Sequence, residues 1–232
     1  MLAYNNDPAL KAAICAEIQR HQDADLIMAG KYWTGEKGCA VGCSLRSYWL
    51  ATGATWNFSF GNHKIYDMFL GNGGEALARL EDTLFENMPR PGHLKFPLRV
   101  AMAIRPGADI SGVCHRFVAW ALTNPALFPG CIDPAVKPAV DAVAALYLRA
   151  AVGDMPSVAP WDAAEDATMA ATGDAAGAAW AAARAAAGAA RAAGAAGAAA
   201  RAAGATGATG DAAGDTSCLL MADKLIDLLE AA

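Results

Sequence analysis

The sequence predicts an all-α or mainly α protein: a helical domain with one irregular segment and a long alanine-rich helix. Three observations support this fold class. Apolar residues recur at helical spacing, most clearly in residues 74–88. Asp-Pro pairs at 7–8 and 133–134 combine a helix-capping side chain with a proline at the first helical position. Residues 180–204 contain only Ala, Trp, Arg and Gly, and Ala is the strongest helix former.

Taken in order, the elements of the first 150 residues follow from these patterns. A helix over 8–21 comes first, and residues 22–29 either extend it or form a second short helix. An irregular segment rich in Gly, Cys and aromatic residues then covers 31–61. A strand over 55–60 would place a small hairpin there and make the fold α+β, which is the alternative. Further helices are predicted over 62–70, 74–88, 95–104, 109–123 and 134–150.

The C-terminal part is predicted to be helical as well. Residues 152–160 indicate a linker, and a final amphipathic helix is predicted over 218–230. The leucines of that helix need a partner surface. We therefore expect a mainly helical core domain over 1–150, and an alanine-rich tract plus C-terminal helix over 161–232 that packs on this core.

The alanine-rich tract has a period close to that of a helix. In residues 180–204 the positions that are not Ala recur about every 3.4 residues. An α-helix would therefore gather Trp, Arg and Gly along one band and leave a face of methyl groups. Such a face favours close packing within the chain, against a partner protein or against a second copy. The alternative is a low-complexity expansion that is helical only part of the time.

Composition disfavours several classes of partner. The net charge of -5 gives no general attraction to nucleic acid or anionic lipid. No basic and then apolar leader begins the chain, and arginines interrupt the alanine-rich tract, so neither a secretion signal nor a membrane span is predicted. Six cysteines in a chain of this kind indicate reduced thiols and a cytoplasmic location. No cofactor is predicted.

The motif GCAVGC carries the most chemically suggestive cysteines. Three residues separate Cys39 from Cys43, whereas zinc motifs usually have a two-residue spacer and a second ligand pair. Small, partly buried residues in a tight turn are favoured, and a metal site of Cys39, Cys43 and His63 is the weaker interpretation. A catalytic cysteine needs a base, which His63 would supply with a carboxylate to orient it.

Three carboxylates lie in the helix predicted over 74–88. Asp82 and Glu86 are four residues apart and predict a solvated acidic face, whereas Glu81 lies nearer the apolar stripe and is expected to be partly buried. The Glu-x-x-His pattern of carboxylate-bridged metal sites does not occur. The candidate catalytic residues are therefore Cys39, Cys43, His63 and Glu81.

The stretches GKYWTGEKGCAVGCSL, NHKIYDMFLG and LARLEDTLFENMP, followed by the alanine-rich tract and MADKLIDLLEAA, resemble a family of bacterial and prophage proteins without an established activity. The resemblance implies a shared architecture. In place of a histidine that is usual in that family, Arg46 follows CSL, which weakens Cys–His chemistry in this loop. The positions that match its recurring motifs are Gly38, Cys39, Gly42, Cys43, His63, Tyr66, Glu81, Asp82 and Glu86.

Two functional hypotheses follow. The first is a non-enzymatic interaction or accessory protein, related to prophages or to immunity proteins of toxin systems, whose alanine- and glycine-rich helix binds a partner protein or another copy. The second is an enzyme or small-ligand binder with its site at Cys39 or Cys43, together with His63 and a carboxylate. The second requires a cysteine within about 4 Å of His63.

Overall fold

The structure is a computed structural model that describes residues 2–53, 63–89, 92–172 and 211–232. Within these ranges it contains α-helices, three short 3₁₀ turns and isolated β-bridges, with no strand or sheet. The predicted all-α class is therefore confirmed. The α-helices of the described ranges are α1 (Pro8–Asp23), α2 (Ala40–Thr52), α3 (Asp67–Leu70), α4 (Gly74–Asn87), α5 (Gly92–Ala103), α6 (Val113–Thr123), α7 (Lys137–Ala150), α8 (Val158–Thr172) and α9 (Asp211–Glu230).

The chain forms two compact units. Unit 1 contains Met1–Ser111 and Cys218–Ala232, and unit 2 contains Gly112–Ser217. The sequence predicts a single core domain over 1–150, whereas the observed boundary falls after Ser111. The described end of α9 contributes to unit 1.

The first helix of unit 1 begins where its Asp-Pro pair predicts. The side chain of Asp7 accepts a hydrogen bond of 2.8 Å from the amide of Ala9, and Pro8 opens the helix. Its buried face carries Ile14 and Ile18. The helix does not continue beyond Asp23, and no second helix forms over 24–29.

Helix α2 corrects the prediction of an irregular segment over 31–61. Residues Ala40–Thr52 form a helix in which almost every residue from 40 to 48 is buried. A helix enclosed on most sides shows no alternation of apolar and polar residues, so periodicity could not reveal it. Its serines are also atypical of helix interiors, but Ser47 donates a hydrogen bond of 2.8 Å to the carbonyl of Cys43 within the helix.

Helix α4 confirms the amphipathic helix predicted over 74–88. Leu77, Leu80 and Leu84 are buried, and Glu81 is buried on the same side of the helix. Helix α4 packs against α2, α5 and the 3₁₀ turn His63–Tyr66. The polar groups described below lie on α4 and on the elements that pack against it.

Helix α9 completes unit 1. Cys218, Leu225 and Leu229 are buried, and the thiol of Cys218 donates to the carbonyl of Leu84 at 3.3 Å. A salt bridge of 2.8 Å joins Arg99 to Asp223. The helix begins at Asp211, seven residues before the predicted start.

The N-terminal turn of unit 1 is conformationally strained. Tyr4, Asn5 and Asn6 all have left-handed backbone, with φ of 52°, 54° and 56°, a region that side chains other than glycine rarely adopt. The hydroxyl of Tyr4 donates to the carbonyl of Ala101 at 2.9 Å. The amide of Ala3 donates to the carbonyl of Ala108 at 3.0 Å, and these contacts hold the turn in place.

Unit 2 is built from α6, α7 and α8 around an apolar cluster. The ring of Tyr147 meets that of Trp161 edge-on, with centroids 5.0 Å apart. Helix α8 begins at Val158, inside the linker predicted over 152–160. Pro160 lies in its first turn, where a residue without a backbone N–H group is tolerated. The cluster comprises Val118, Ala119, Val143, Ala144, Leu146, Tyr147, Trp161 and Ala164.

Two predictions lie outside the described residues. These are the alanine-rich helix over 180–204 and the strand over 55–60. None of the described helices combines the length and apolar character needed to cross a membrane.

Candidate functional site

The loop before α2 is held by backbone hydrogen bonds. The amide of Gly38 donates to the carbonyl of Leu26 at 3.1 Å, and the carbonyl of Gly38 accepts from Met28 at 2.9 Å. The amide of Cys39 donates to the carbonyl of Lys31 at 2.8 Å. These bonds position Cys39 as the residue that precedes α2.

The two glycines of GCAVGC allow the backbone of Tyr32 and Trp33 to lie against the start of α2. A Cβ atom at Gly42 would overlap the carbonyl oxygen of Tyr32, and one at Gly38 would lie 2.6 Å from Cε3 of Trp33. Because real Cβ atoms do not approach so closely, only glycine fits both positions. The motif therefore serves close packing around Cys39.

Cys39 and two carboxylates of α4 form a cluster. Cys39 occupies the N-cap position of α2, and its thiol donates to Oδ1 of Asp82 at 3.4 Å. Glu86 follows Asp82 by one helical turn, and its Oε2 accepts from the amide of Gly30 at 2.7 Å. One ligand atom from each of Cys39, Asp82 and Glu86 lies within 4.8 Å of the other two.

His63 borders the cluster at the start of its 3₁₀ turn. Its Nε2 lies 3.5 Å from Oδ2 of Asp82, which is too long for a hydrogen bond, and its ring meets Tyr32 edge-on. Neither ring nitrogen has a hydrogen-bond partner among the described residues, although the side chain is only 12% exposed. Asp82 therefore lies between the thiol of Cys39 and the imidazole of His63.

Glu81 lies beside the cluster but faces inward. Its Oε2 accepts a hydrogen bond of 2.9 Å from the hydroxyl of Tyr66, and its Oε1 has no partner in the described part of the chain. Burial raises the pKa of Glu81 to about 8, although the Tyr66 hydrogen bond acts in the opposite direction. At neutral pH the side chain is therefore mostly neutral.

Burial also controls the acidity of the other groups. It raises the pKa of the Cys39 thiol strongly, and the charge of Asp82 adds to this effect. Burial raises the pKa of Cys43 to about 12 and that of Glu86 to a lesser degree. In the absence of a cation, both thiols are therefore protonated at neutral pH.

The structure brings some of the predicted candidates together and separates others. Cys39 and His63 meet around Asp82, whereas the thiol of Cys43 donates to the carbonyl of Gly38 at 3.4 Å. Glu81 is buried as expected and is bound to Tyr66. The four predicted residues therefore have different contacts in this region.

The proximity of Asp82 and Glu86 to Cys39 was not predicted from the sequence. Their side chains are partly exposed, in keeping with the acidic face predicted for them, yet they converge on the thiol of Cys39. The spacing of four residues in α4 was the available signal. The proximity of Cys39 to these carboxylates was not predictable, because it depends on how α2 packs against α4.

Comparison with known proteins adds no precedent for this arrangement. No protein-family model, curated protein or solved structure matches the chain. The resemblance to a bacterial and prophage family stays a prediction, and the function has to be argued from the chemistry of the cluster.

Proposed function

We propose that this chain binds a divalent transition metal, with Zn²⁺ as the best fit. Cys39, Asp82 and Glu86 are the ligands, and His63 is the fourth donor. The observation that carries the proposal is the convergence of the three ligand atoms within 4.8 Å of one another. Because these residues come from the start of α2 and from α4, the folded elements preorganise the site.

Two of the separations between the proposed donors fall in the range of a tetrahedral zinc site. With metal–ligand distances of about 2.0–2.3 Å, neighbouring ligands of a tetrahedron lie about 3.3–3.8 Å apart. The thiol of Cys39 lies 3.4 Å from Asp82, and Nε2 of His63 lies 3.5 Å from the other oxygen of the same carboxylate. The ligand atom of Glu86 lies within 4.8 Å of the other two, so Glu86 and His63 would rotate their side chains to complete a set of four donors around one ion.

The charge of the cluster also favours a cation. Within the part of the chain that the structure describes, neither Asp82 nor Glu86 forms an ion pair with a lysine or arginine. Burial and the neighbouring carboxylate both raise the pKa of Cys39 and of Glu86. A bound cation reverses this penalty because it stabilises the thiolate and the carboxylates together.

The donor types select among metals. Mg²⁺ and Ca²⁺ prefer oxygen donors, whereas a thiolate combined with imidazole and carboxylate suits Zn²⁺ and related transition metals. Cys39 is almost fully buried, whereas Glu86 is exposed. An ion can therefore enter from the carboxylate side while the sulfur stays enclosed.

A cysteine nucleophile is less well supported by this geometry. A reactive cysteine needs a lowered pKa and an adjacent positive charge, whereas burial and Asp82 raise the pKa of Cys39. Cys43 is buried and its thiol bonds to a backbone carbonyl. The same cluster therefore favours metal binding over thiol catalysis.

The interaction role predicted for the alanine-rich helix stays a prediction, because residues 180–204 lie outside the described part of the chain. A methyl-rich helical face that docks on a partner protein or a second copy is compatible with a metal site in unit 1. The two proposals concern different residues and are tested separately.

Metal titration of the full chain tests the proposal. We expect one equivalent of Zn²⁺ to bind, and Co²⁺, used as a spectroscopic substitute, to give a sulfur-to-metal charge-transfer band that reports ligation by Cys39. Cys39→Ser should abolish the band, and Asp82→Asn should weaken Zn²⁺ binding at least 100-fold, since loss of a supporting residue alone typically costs 10- to 100-fold.

Cys43→Ala is the matched control, because this cysteine lies one turn further along α2 and its thiol faces Gly38 instead of Asp82. It should retain both the band and the stoichiometry. If the wild-type chain binds neither metal, or if Cys43→Ala loses binding as completely as Cys39→Ser while both remain folded by circular dichroism, the proposal is wrong. Should Cys39→Ser fail to fold, the partly exposed Asp82 and Glu86 variants decide the question.

A further inference from the structure

His21 is a buried histidine that the proposed metal site does not use. It is 1% exposed, and neither ring nitrogen has a hydrogen-bond partner among the described residues. Its Nε2 lies 3.6 Å from Oε1 of Glu17, within range for an ion pair but beyond hydrogen-bond length. A buried imidazole in such surroundings is accommodated as long as it is neutral.

One route of contacts joins the ring of His21 to Cys39. The ring meets Trp33 edge-on, with centroids 5.6 Å apart. Cε3 of Trp33 lies 2.6 Å and 3.8 Å from the positions that Cβ atoms would take at Gly38 and Gly42. The indole is therefore close both to the ring of His21 and to the backbone at Gly38 and Gly42, the glycines on either side of Cys39 in the motif.

A second route runs through the backbone. The carbonyl of His21 accepts a hydrogen bond of 2.9 Å from the amide of Leu26. The carbonyl of Leu26 in turn accepts from the amide of Gly38 at 3.1 Å, next to Cys39. A displacement of His21 therefore reaches the proposed ligand through both a side-chain and a main-chain path.

The charges that act on His21 come from α1 and α2. Glu17 on α1 favours the protonated ring, whereas Arg20 on α1 and Arg46 on α2 oppose it. Glu17 is already bound by Arg20, whose guanidinium donates to both of its carboxylate oxygens. Burial is the largest influence and lowers the pKa of His21, so the ring is neutral at neutral pH.

We propose that His21 is a pH-sensitive positioning residue for the cation site. When its ring is neutral, His21 supports Trp33 and the Gly38–Cys39 backbone. When the ring is protonated, this support is lost. This inference rests on the proposed metal site. A charged imidazole cannot remain enclosed without a strong partner, so it moves toward Glu17 and solvent. Trp33 then loses its support, and the thiol of Cys39 is no longer held opposite Asp82.

The pH dependence of Co²⁺ binding to the full chain tests the inference. Ligand protonation weakens binding in acid for every variant, so the comparison is between slopes. As the pH is lowered below 6.5, we expect the affinity of the wild type to fall more steeply than that of His21→Leu, which carries no proton at this position, by at most about tenfold per pH unit because one proton is linked. His115→Gln, in unit 2, is the control and should follow the wild type.

The outcomes separate this inference from the proposed function. If no variant binds Co²⁺, the proposed function itself is wrong. If wild type and His21→Leu both bind with equal slopes, only the role of His21 is wrong. A second measurement applies if a variant misfolds. In NMR spectra of the metal-free wild type, the indole resonance of Trp33 is assigned by its loss in Trp33→Phe. This resonance should shift with the same pH midpoint at which His21 titrates. A Trp33 resonance that stays unchanged through that titration overturns the inference.

Discussion

The interiors of the two units differ in their chemistry. Five polar or charged residues are buried in the described part of the chain, and all of them belong to unit 1. They are His21, Ser44, Ser47, Glu81 and His93. The cluster around Tyr147 in unit 2 is built instead from aliphatic and aromatic side chains. Both units enclose a helical core, but among the residues that the structure describes only unit 1 contains a buried carboxyl group.

The apolar interior of unit 2 favours stability, whereas the buried polar groups of unit 1 are typical of a functional site. Burying a polar group without full hydrogen bonding costs free energy, so an apolar interior such as that of unit 2 is the more stable arrangement. Unit 1 tolerates Glu81 and His21, whose polar atoms are incompletely bonded among the described residues. Such groups collect at functional sites, and two of the proposed cation ligands, Asp82 and Glu86, lie on the same helix as Glu81.

The largest effect on stability is expected from Tyr147→Ala in unit 2. Removing this fully buried ring, which packs on Trp161, should lower the free energy of unfolding by about 3–5 kcal/mol. Leu148→Ala changes a neighbour that is 53% exposed and should cost less than about 1 kcal/mol. Urea denaturation followed by circular dichroism measures both. Zn²⁺ affinity should stay within about twofold of the wild type, and a parallel loss of affinity would show that the two interiors are not independent.

A smaller, pH-dependent effect is expected from Glu81→Gln. The folded-state pKa of about 8 exceeds the ordinary value of 4.5, so the folded protein binds this proton more tightly. The stabilisation is complete below pH 4.5 and is lost as the pH rises to about 8, at a slope of at most about 1.4 kcal/mol per pH unit. In chelator, Glu81→Gln should remove this part of the decline in thermal stability with pH. Glu230→Gln, at an exposed position on α9, should retain it, and a wild-type stability that does not fall over this range would contradict the buried acid.

The smallest effect is expected at the surface of unit 1. Arg99 and Asp223 form a salt bridge between side chains that are 46% and 64% exposed. Such pairs contribute about 0.5 kcal/mol or less, because water and salt screen them. A double-mutant cycle with Arg99→Ala and Asp223→Ala should give a coupling of this size that vanishes at high salt. A coupling above 1 kcal/mol would indicate that the pair is more enclosed than its exposure implies.

Periodicity predicted those helices that have one buried and one solvated face. Helices α1, α4 and α7 follow their apolar stripes and, for α1, the Asp-Pro cap. Helix α2 was missed because it is enclosed on most sides and contains glycine and serine. Spacing along the chain contains no information about such tertiary burial.

Two members of the candidate site were predictable from the sequence, but the arrangement of the site was not. Cys39 and His63 were identified because cysteine and histidine are uncommon and chemically versatile. Their meeting around Asp82 depends on how α2 packs against α4. Without that packing, Asp82 and Glu86 have the pattern of an ordinary solvated helix face.

The return of the C-terminal helix to unit 1 has a consequence for biosynthesis. Leu225 and Leu229 are buried in unit 1, yet more than a hundred residues separate them from Ser111 along the chain. A ribosome therefore releases these side chains only after all of unit 2 has been translated. Until then the nascent N-terminal portion exposes the apolar surface that α9 covers, and we expect it to depend on chaperones during this interval.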